Sequence, residues 1–327
     1  MQTYGRMKMI KKIARAAAFL LLLILILAAV SGIAVPEKIV PEAWMDARDV
    51  NALSILNEPE DSIDLLVLGD SESFTAVSPF RLWEKQRITS YVCGQSGQHI
   101  AEAYYMLKTA LESQSPELVI LETNEIFSFA GWVEESRLAA GEAKKYYFPV
   151  FLYHNRWKEL CGVSEPLQIP ADSRPYKGFE IRTGVRPYGD GPYMKETEES
   201  IPVTAFTAYY LKEMQALCES KGSRFLLLSI PSPRNWCCEK HNGVKACAEE
   251  LGIPFLDLNG HAGEIGLDWQ TDSYDDGDHL NLSGAEKVTD YLGRYLKKHY
   301  GCWEEPAAST ADAWTAGLAE YKAAKKQ

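Results

Sequence analysis

Two short stretches carry residues that could do chemistry together. "LLVLGDSESF", residues 65–74, is an apolar run that stops abruptly at Gly69, Asp70 and Ser71. "YDDGDHLNLSGAEKVT", residues 274–289, holds Asp276 and His279 in a D-x-x-H spacing. A serine hydroxyl is a weak nucleophile until a base with a pKa near 7 takes its proton, and histidine supplies one. The histidine in turn needs an acceptor on its other ring nitrogen to fix tautomer and orientation. A three-residue offset on a tight turn lets Asp276 fill that role. Asp278 is closer in sequence, but adjacent side chains rarely face each other. The expected set is Ser71 as nucleophile, His279 as base and Asp276 as orienting acid.

Blander readings compete with this one. Gly-Asp-Ser after a strand also reads as a turn into a helix, with Asp70 as turn or cap former. Ser73 follows the same strand. The acid-rich loop around Gly277 could bind calcium, but an EF-hand with that glycine would have Tyr274 at its third position and Ser283, not Glu, at its twelfth. His99, His154, His241, His261 and His299 have no matched carboxylate in the sequence and read as surface or packing residues. "CCEKH", residues 237–241, has poor ligand spacing for a metal. The seven cysteines are odd in number and form no CxxC pair, so a zinc site is not expected. A disulfide among Cys237, Cys238 and Cys247 stays open. No metal or cofactor is expected.

The elements around these residues follow from periodicity. Five short apolar runs recur at 63–70, 88–94, 117–125, 224–231 and 253–259. Their near-continuous Val, Ile and Leu suits strands buried on both faces. Residues 99–114 and 204–222 between them place apolar residues at helical intervals, the second ending on Gly222. Alternating strands and helices predict an α/β fold, a three-layer sandwich around a parallel sheet of about five strands. Ligands on such sheets sit beyond the carboxyl ends of the strands, where the GDS stretch lies.

Residues 128–203 break the alternation and read as an insertion or cap. Within 144–186, eight Lys/Arg face four acids, and aromatic residues are dense. Trp157, Tyr176 and Lys177 are its candidate substrate contacts, because aromatic faces can stack on a ligand and a cation can meet its anionic groups. The plainer alternative is that these aromatics form the cap's own small core. The tail from Glu304 reads as a surface helix or a frayed end.

The first 15 residues carry Arg6, Lys8, Lys11, Lys12 and Arg15 with no acid, and residues 16–35 carry no charge. Twenty such residues at 1.5 Å each span a bilayer core of roughly 30 Å. A cleaved signal peptide competes with an uncleaved anchor, but its apolar region is usually shorter. Either way, the basic flank places the body outside the cytoplasm. The net charge of −11 argues against nucleic acid as a partner.

Taken in order, these blocks resemble the SGNH/GDSL hydrolase superfamily. Gly69-Asp70-Ser71 matches its first block, Gly97 in "YVCGQSGQH" its second, and Asp276 with His279 its last. The third block, usually G-x-N-D, departs here: "ETNE" keeps Asn124 but has Glu122 and Glu125 in place of glycine and aspartate. The resemblance covers roughly residues 61–300 outside the insertion. It implies a flavodoxin-like sandwich and an oxyanion hole made by the Ser71 N–H, the Gly97 N–H and the Asn124 side chain. The G-x-S-x-G elbow of ordinary α/β-hydrolases is absent.

The apolar N-terminus and "HLNLSGAEKVT" make the chain similar to membrane-anchored, extracytoplasmic bacterial members, including proteins of polysaccharide O-acetylation and teichoic-acid D-alanylation. That resemblance implies a serine esterase or O-acyltransferase acting on acylated cell-envelope carbohydrate. It also leaves a rival, a non-catalytic assembly protein partnering an integral-membrane acyltransferase. The expected organisation is a basic flank and anchor at 1–35, a linker at 36–60, the hydrolase-like domain at 61–302 and a helical tail at 303–327.

Overall fold

The computed structural model describes residues 2–39, 47–163, 174–301, 303 and 305–326. Parts of the expected linker and insertion, 40–46 and 164–173, lie outside the described residues, as does Cys302.

The five apolar runs form five strands: β1 (Leu65–Leu68), β2 (Ser90–Val92), β3 (Leu118–Glu122), β4 (Arg224–Ser229) and β5 (Phe255–Asp257). All pair in parallel, in the order β2-β1-β3-β4-β5. Side chains alternate between two cores, one on each side of the sheet. Leu66, Leu68, Val119, Leu121, Phe225 and Leu227 enter one; Leu65, Val67, Leu118, Ile120, Leu226 and Leu228 enter the other. A period of two therefore operates inside runs that look uniformly apolar, because both faces are covered. The helices Ile100–Ala110 and Ala205–Ser220 fall where periodicity predicts them. The chain leaves β1 for one side of the sheet and returns at β3 on the other. Their carboxyl ends thus form the crevice at the switch in strand order.

The insertion is partly helical. Its helix Trp132–Tyr147 packs on Ile100–Ala110, with Tyr146 against Tyr105 at 5.9 Å between ring centres. Residues 174–203 form a strap along the body. Backbone bonds fasten it: Glu180 N to Phe74 O, Leu282 N to Arg182 O, Arg186 N to Ser273 O, Tyr188 N to Trp269 O and Ile201 N to Glu239 O.

The tail corrects the expectation of a surface helix or frayed end. The helix Ala308–Ala324 buries Trp314, 2% exposed, and Tyr321, 1% exposed. Trp314 meets Phe80 at 5.4 Å and Trp83 at 5.7 Å, and the Ser78 hydroxyl lies 3.1 Å from the Tyr321 hydroxyl. The alanines suggest a solvent helix, but two large aromatics seven residues apart place one face in the core.

The first helix, α1 (Gln2–Ala34), is long and apolar enough to cross a membrane. The six described cysteines are free thiols, Cys237, Cys238 and Cys247 among them.

Candidate active site

β1 ends in Gly69, whose φ of +139° brings the chain past β3; a Cβ there would come within 2.5 Å of Glu122 Cβ. Only glycine fits. Asp70 then caps the helix Ser71–Ala76, its Oδ1 accepting from Glu72 N at 2.9 Å. That leaves Ser71 as the first helical residue, half-buried, at the carboxyl end of the sheet. Ser73 points inward and donates to Asp70 O at 2.7 Å.

The loop before the helix Leu282–Tyr300 brings His279 to Ser71. His279 Nε2 lies 2.8 Å from Ser71 Oγ. The acid on its other nitrogen is Asp275, not the expected Asp276. Asp275 Oδ2 is 2.7 Å from His279 Nδ1, and Asp275 Oδ1 accepts from His279 N at 2.6 Å. Asp276 has a left-handed φ of +65° that turns its side chain out to Arg234, which it binds as an ion pair. Asp278 is 3.7 Å from His279 Nδ1 and takes a hydrogen bond from Asn235. Three acids crowd one loop, and a left-handed kink decides which one meets the ring. Arg182 on the strap, gripped by Glu180 at 2.9 Å, lies 3.9 Å from Asp275. Neither Arg182 nor Asn235 had a signal in the sequence.

Of the three expected oxyanion contributors, Ser71 and Asn124 adjoin the same turn. Asn124 Nδ2 donates to Asp70 Oδ2 at 2.8 Å, leaving its second amide hydrogen. Gly97 stands exposed after β2 with φ +59° and open space where a Cβ would go. Its loop is tied to the Gly69–Ser71 turn through Gln95 and Gln98. Gln95 N donates to Gly69 O at 3.0 Å, and Gly69 N donates to Gln98 Oε1 at 3.1 Å. Gly94 packs closest, because a Cβ there would lie 2.2 Å from Ser73 Oγ.

The insertion candidates go elsewhere. Tyr176 packs against Tyr321 at 5.5 Å and Phe80 at 6.5 Å, so it belongs to the core. The Lys177 ammonium pairs with Glu58 at 2.7 Å. Trp157 is 55% exposed and follows Arg156, whose guanidinium binds the end of α1. Folding also supplies histidine partners invisible in sequence: Glu135 at 3.0 Å from His99, Asp257 at 2.6 Å from His241 and Glu264 at 3.4 Å from His261.

Beneath Ser71 lies a group of buried acids. Carboxylate oxygens of Asp70, Glu72 and Glu122 all fall within 4.8 Å of one another. Glu72 accepts from Asn235 at 2.7 Å, and Glu122 accepts from Asn124 N at 3.0 Å. Glu125, 2% exposed, has neither oxygen hydrogen-bonded. Burial first, then the negative charge of neighbouring acids, pushes Glu72, Glu122 and Glu125 well above the usual carboxylate range. Glu122, a departure from the third block, thus joins the buried acids next to Ser71, and Glu125, the other departure, is buried close enough to Asp70 to feel its charge.

A serine, a histidine and an aspartate in hydrogen-bonded series can carry out acyl transfer. Solved structures this chain is similar to include acylhydrolases, esterases and lipases, some of them described as G-D-S-L family or GDSL-like proteins. TesA is 17% identical, with 72% of this chain and 98% of that chain covered and a TM-score of 0.38. The lipase/acylhydrolase from Enterococcus faecalis is 13% identical over 72% of this chain and 96% of its own, also at 0.38. The psychrotrophic esterase EstA from Pseudoalteromonas sp. is 15% identical, with coverages of 72% and 96% and the same score. No protein-family model matches the sequence, and no curated protein does.

Proposed function

We propose that the chain is a serine ester hydrolase or acyltransferase of SGNH/GDSL type. The observation that carries this reading is the continuous series Ser71 Oγ, His279 and Asp275, at 2.8 and 2.7 Å. Ser71 Oγ attacks an ester carbonyl while His279 Nε2 takes its proton. Asp275 holds the ring and balances the charge that forms on it. The Ser71 N–H, the Gly97 N–H and the free Asn124 amide hydrogen stabilise the oxyanion; one such donor is worth roughly 3–4 kcal/mol of barrier. The tetrahedral intermediate collapses, His279 returns the proton to the leaving alcohol, and Ser71 is left acylated. Water or a sugar hydroxyl, deprotonated by His279, then takes the acyl group and regenerates the serine.

Acylated cell-envelope carbohydrate is the proposed substrate, and the outer face of a bacterial cell membrane the proposed location, with α1 as anchor. The support is the motif resemblance and the five bases that precede the apolar stretch of α1. A second reading is a non-catalytic partner of a membrane acyltransferase. It is favoured by the altered third block, where the Asn124 amide already serves Asp70.

The test is hydrolysis of p-nitrophenyl acetate by the full chain in detergent, with labelling by a fluorophosphonate. Turnover and labelling lost together in Ser71→Ala and His279→Ala support the enzyme. An unlabelled parent protein overturns it in favour of the partner reading.

A further inference from the structure

If α1 crosses a membrane, the uncharged stretch from Ala16 to Val35, just past the helix end, is roughly 30 Å long, so the bilayer core ends near Val35. That end is where the insertion touches α1. Val150 N donates to Ser31 Oγ at 3.2 Å. The Arg156 guanidinium donates to the carbonyls of Ile33 and Ala34, each at 3.1 Å, and to that of Val35. These are last-turn and exit carbonyls that the helix itself leaves without partners, and a cation there also suits the helix dipole. Residues 147–163 are therefore held at the level where hydrocarbon gives way to headgroups.

What this segment turns outward fits that level. Tyr147, Phe151, Trp157, Leu160 and Val163 are all exposed. They are five of the eleven exposed large hydrophobic residues described beyond Val35, gathered in 17 positions. Within 147–163, Arg156 and Lys158 stand against the single acid Glu159, with Lys144 and Lys145 just before them, Lys145 paired with Glu142 at 2.8 Å, in a protein of net charge −11. Lys144 lies 4.7 Å from the Phe151 ring centre. Aromatic rings with Lys and Arg are the composition that settles at a bilayer interface, and anionic headgroups attract the bases.

We propose that residues 147–163 are a membrane-surface contact, seating Phe151, Trp157, Leu160 and Val163 among the headgroups of the leaflet from which α1 emerges. This rests on the reading of α1 as a membrane span. It makes α1 and the insertion a two-point mount that fixes the domain's tilt. A cavity of about 150 Å³ next to this mount is lined by Val35, Tyr105, Tyr153 and Gln95. Gln95 N binds Gly69 O, so the nucleophile turn lies one residue layer from that cavity. The contact holds the active face close to the bilayer surface, where a membrane-attached acyl donor or polymer would be presented.

The test uses the full chain in phosphatidylcholine/phosphatidylglycerol vesicles, plain or brominated near the headgroup end of the acyl chains. Parent emission minus that of Trp157→Phe reports Trp157 alone. The expected result is at least a threefold loss of that difference signal in brominated vesicles. A tryptophan at the exposed strap position, Val185→Trp, should keep its emission. Full emission from Trp157, in protein that resists alkaline carbonate extraction, overturns the contact while leaving the span standing. Release by carbonate removes the span and the contact together. Equal quenching at positions 157 and 185 overturns a specific surface.

Discussion

His279 takes its orientation from Asp275 through two hydrogen bonds, one to its backbone N–H at 2.6 Å and one to Nδ1 at 2.7 Å. Binding the residue by its main chain as well as its ring fixes the loop and the tautomer together. Ser71 then receives the remaining nitrogen at 2.8 Å. Asp275→Asn should lower kcat by about 10⁴-fold, since an amide at Nδ1 favours the wrong tautomer. Asp276→Asn, which loosens only the ion pair to Arg234, should change kcat less than about tenfold. Steady-state kinetics on both variants decide; the reverse ranking would restore Asp276 as the orienting acid.

Asn124 offers one amide hydrogen beyond the one given to Asp70. Asn124→Ala should reduce kcat by roughly 10²–10³-fold with little change in KM, because an oxyanion donor acts only in the transition state. A pure KM effect would remove it from that role.

The buried acids make stability depend on pH with a definite sign. Glu72, Glu122 and Glu125 keep their protons in the folded chain above the value of 4.5 at which an exposed glutamate releases them. Their stabilising contribution is complete below 4.5 and declines as pH rises toward their raised folded values. The slope is about 1.4 kcal/mol per pH unit for each proton held only by the folded chain. Glu125→Gln keeps the volume and removes one such proton. Urea midpoints in detergent from pH 5 to 9 should fall more steeply for the parent than for this variant; parallel curves would show that Glu125 holds no proton.

Gly94 and Gly97 should respond differently to alanine. At Gly94 the new methyl would lie 2.2 Å from Ser73 Oγ and 3.1 Å from Asp70 O, against the nucleophile turn itself. Gly94→Ala should cost about 1–3 kcal/mol and most of the activity. Gly97→Ala meets open space and only the penalty of its positive φ, about 1–2 kcal/mol, while keeping its N–H. Thermal unfolding combined with kcat separates the two, and an active Gly94→Ala enzyme would show that the turn can move aside.

The C-terminal helix should be an integral part of the fold. Trp314→Ala empties a site between Phe80 and Trp83 and should cost about 3–5 kcal/mol. An unfolding midpoint within a degree of the parent's would return the tail to the surface.

The sequence by itself determined the parallel sheet, the two helices flanking it, the apolar N-terminal helix and the positions of Ser71 and His279. These are local signals: strand runs, helical spacing, a glycine turn and a capped helix start are written within ten or twenty residues. The tertiary structure decided which acid serves His279, because the kink at Asp276 is held by contacts from afar. Asp276 N donates to Arg186 O on the strap, and Arg234 pairs with its carboxylate. It also decided that Tyr176 and Lys177 serve packing and pairing, that the tail is core, and that Glu122 and Glu125 are buried acids close to Asp70. Each of those outcomes depends on residues tens to hundreds of positions apart meeting in a low-dielectric interior, where burial and neighbouring charge set a side chain's role.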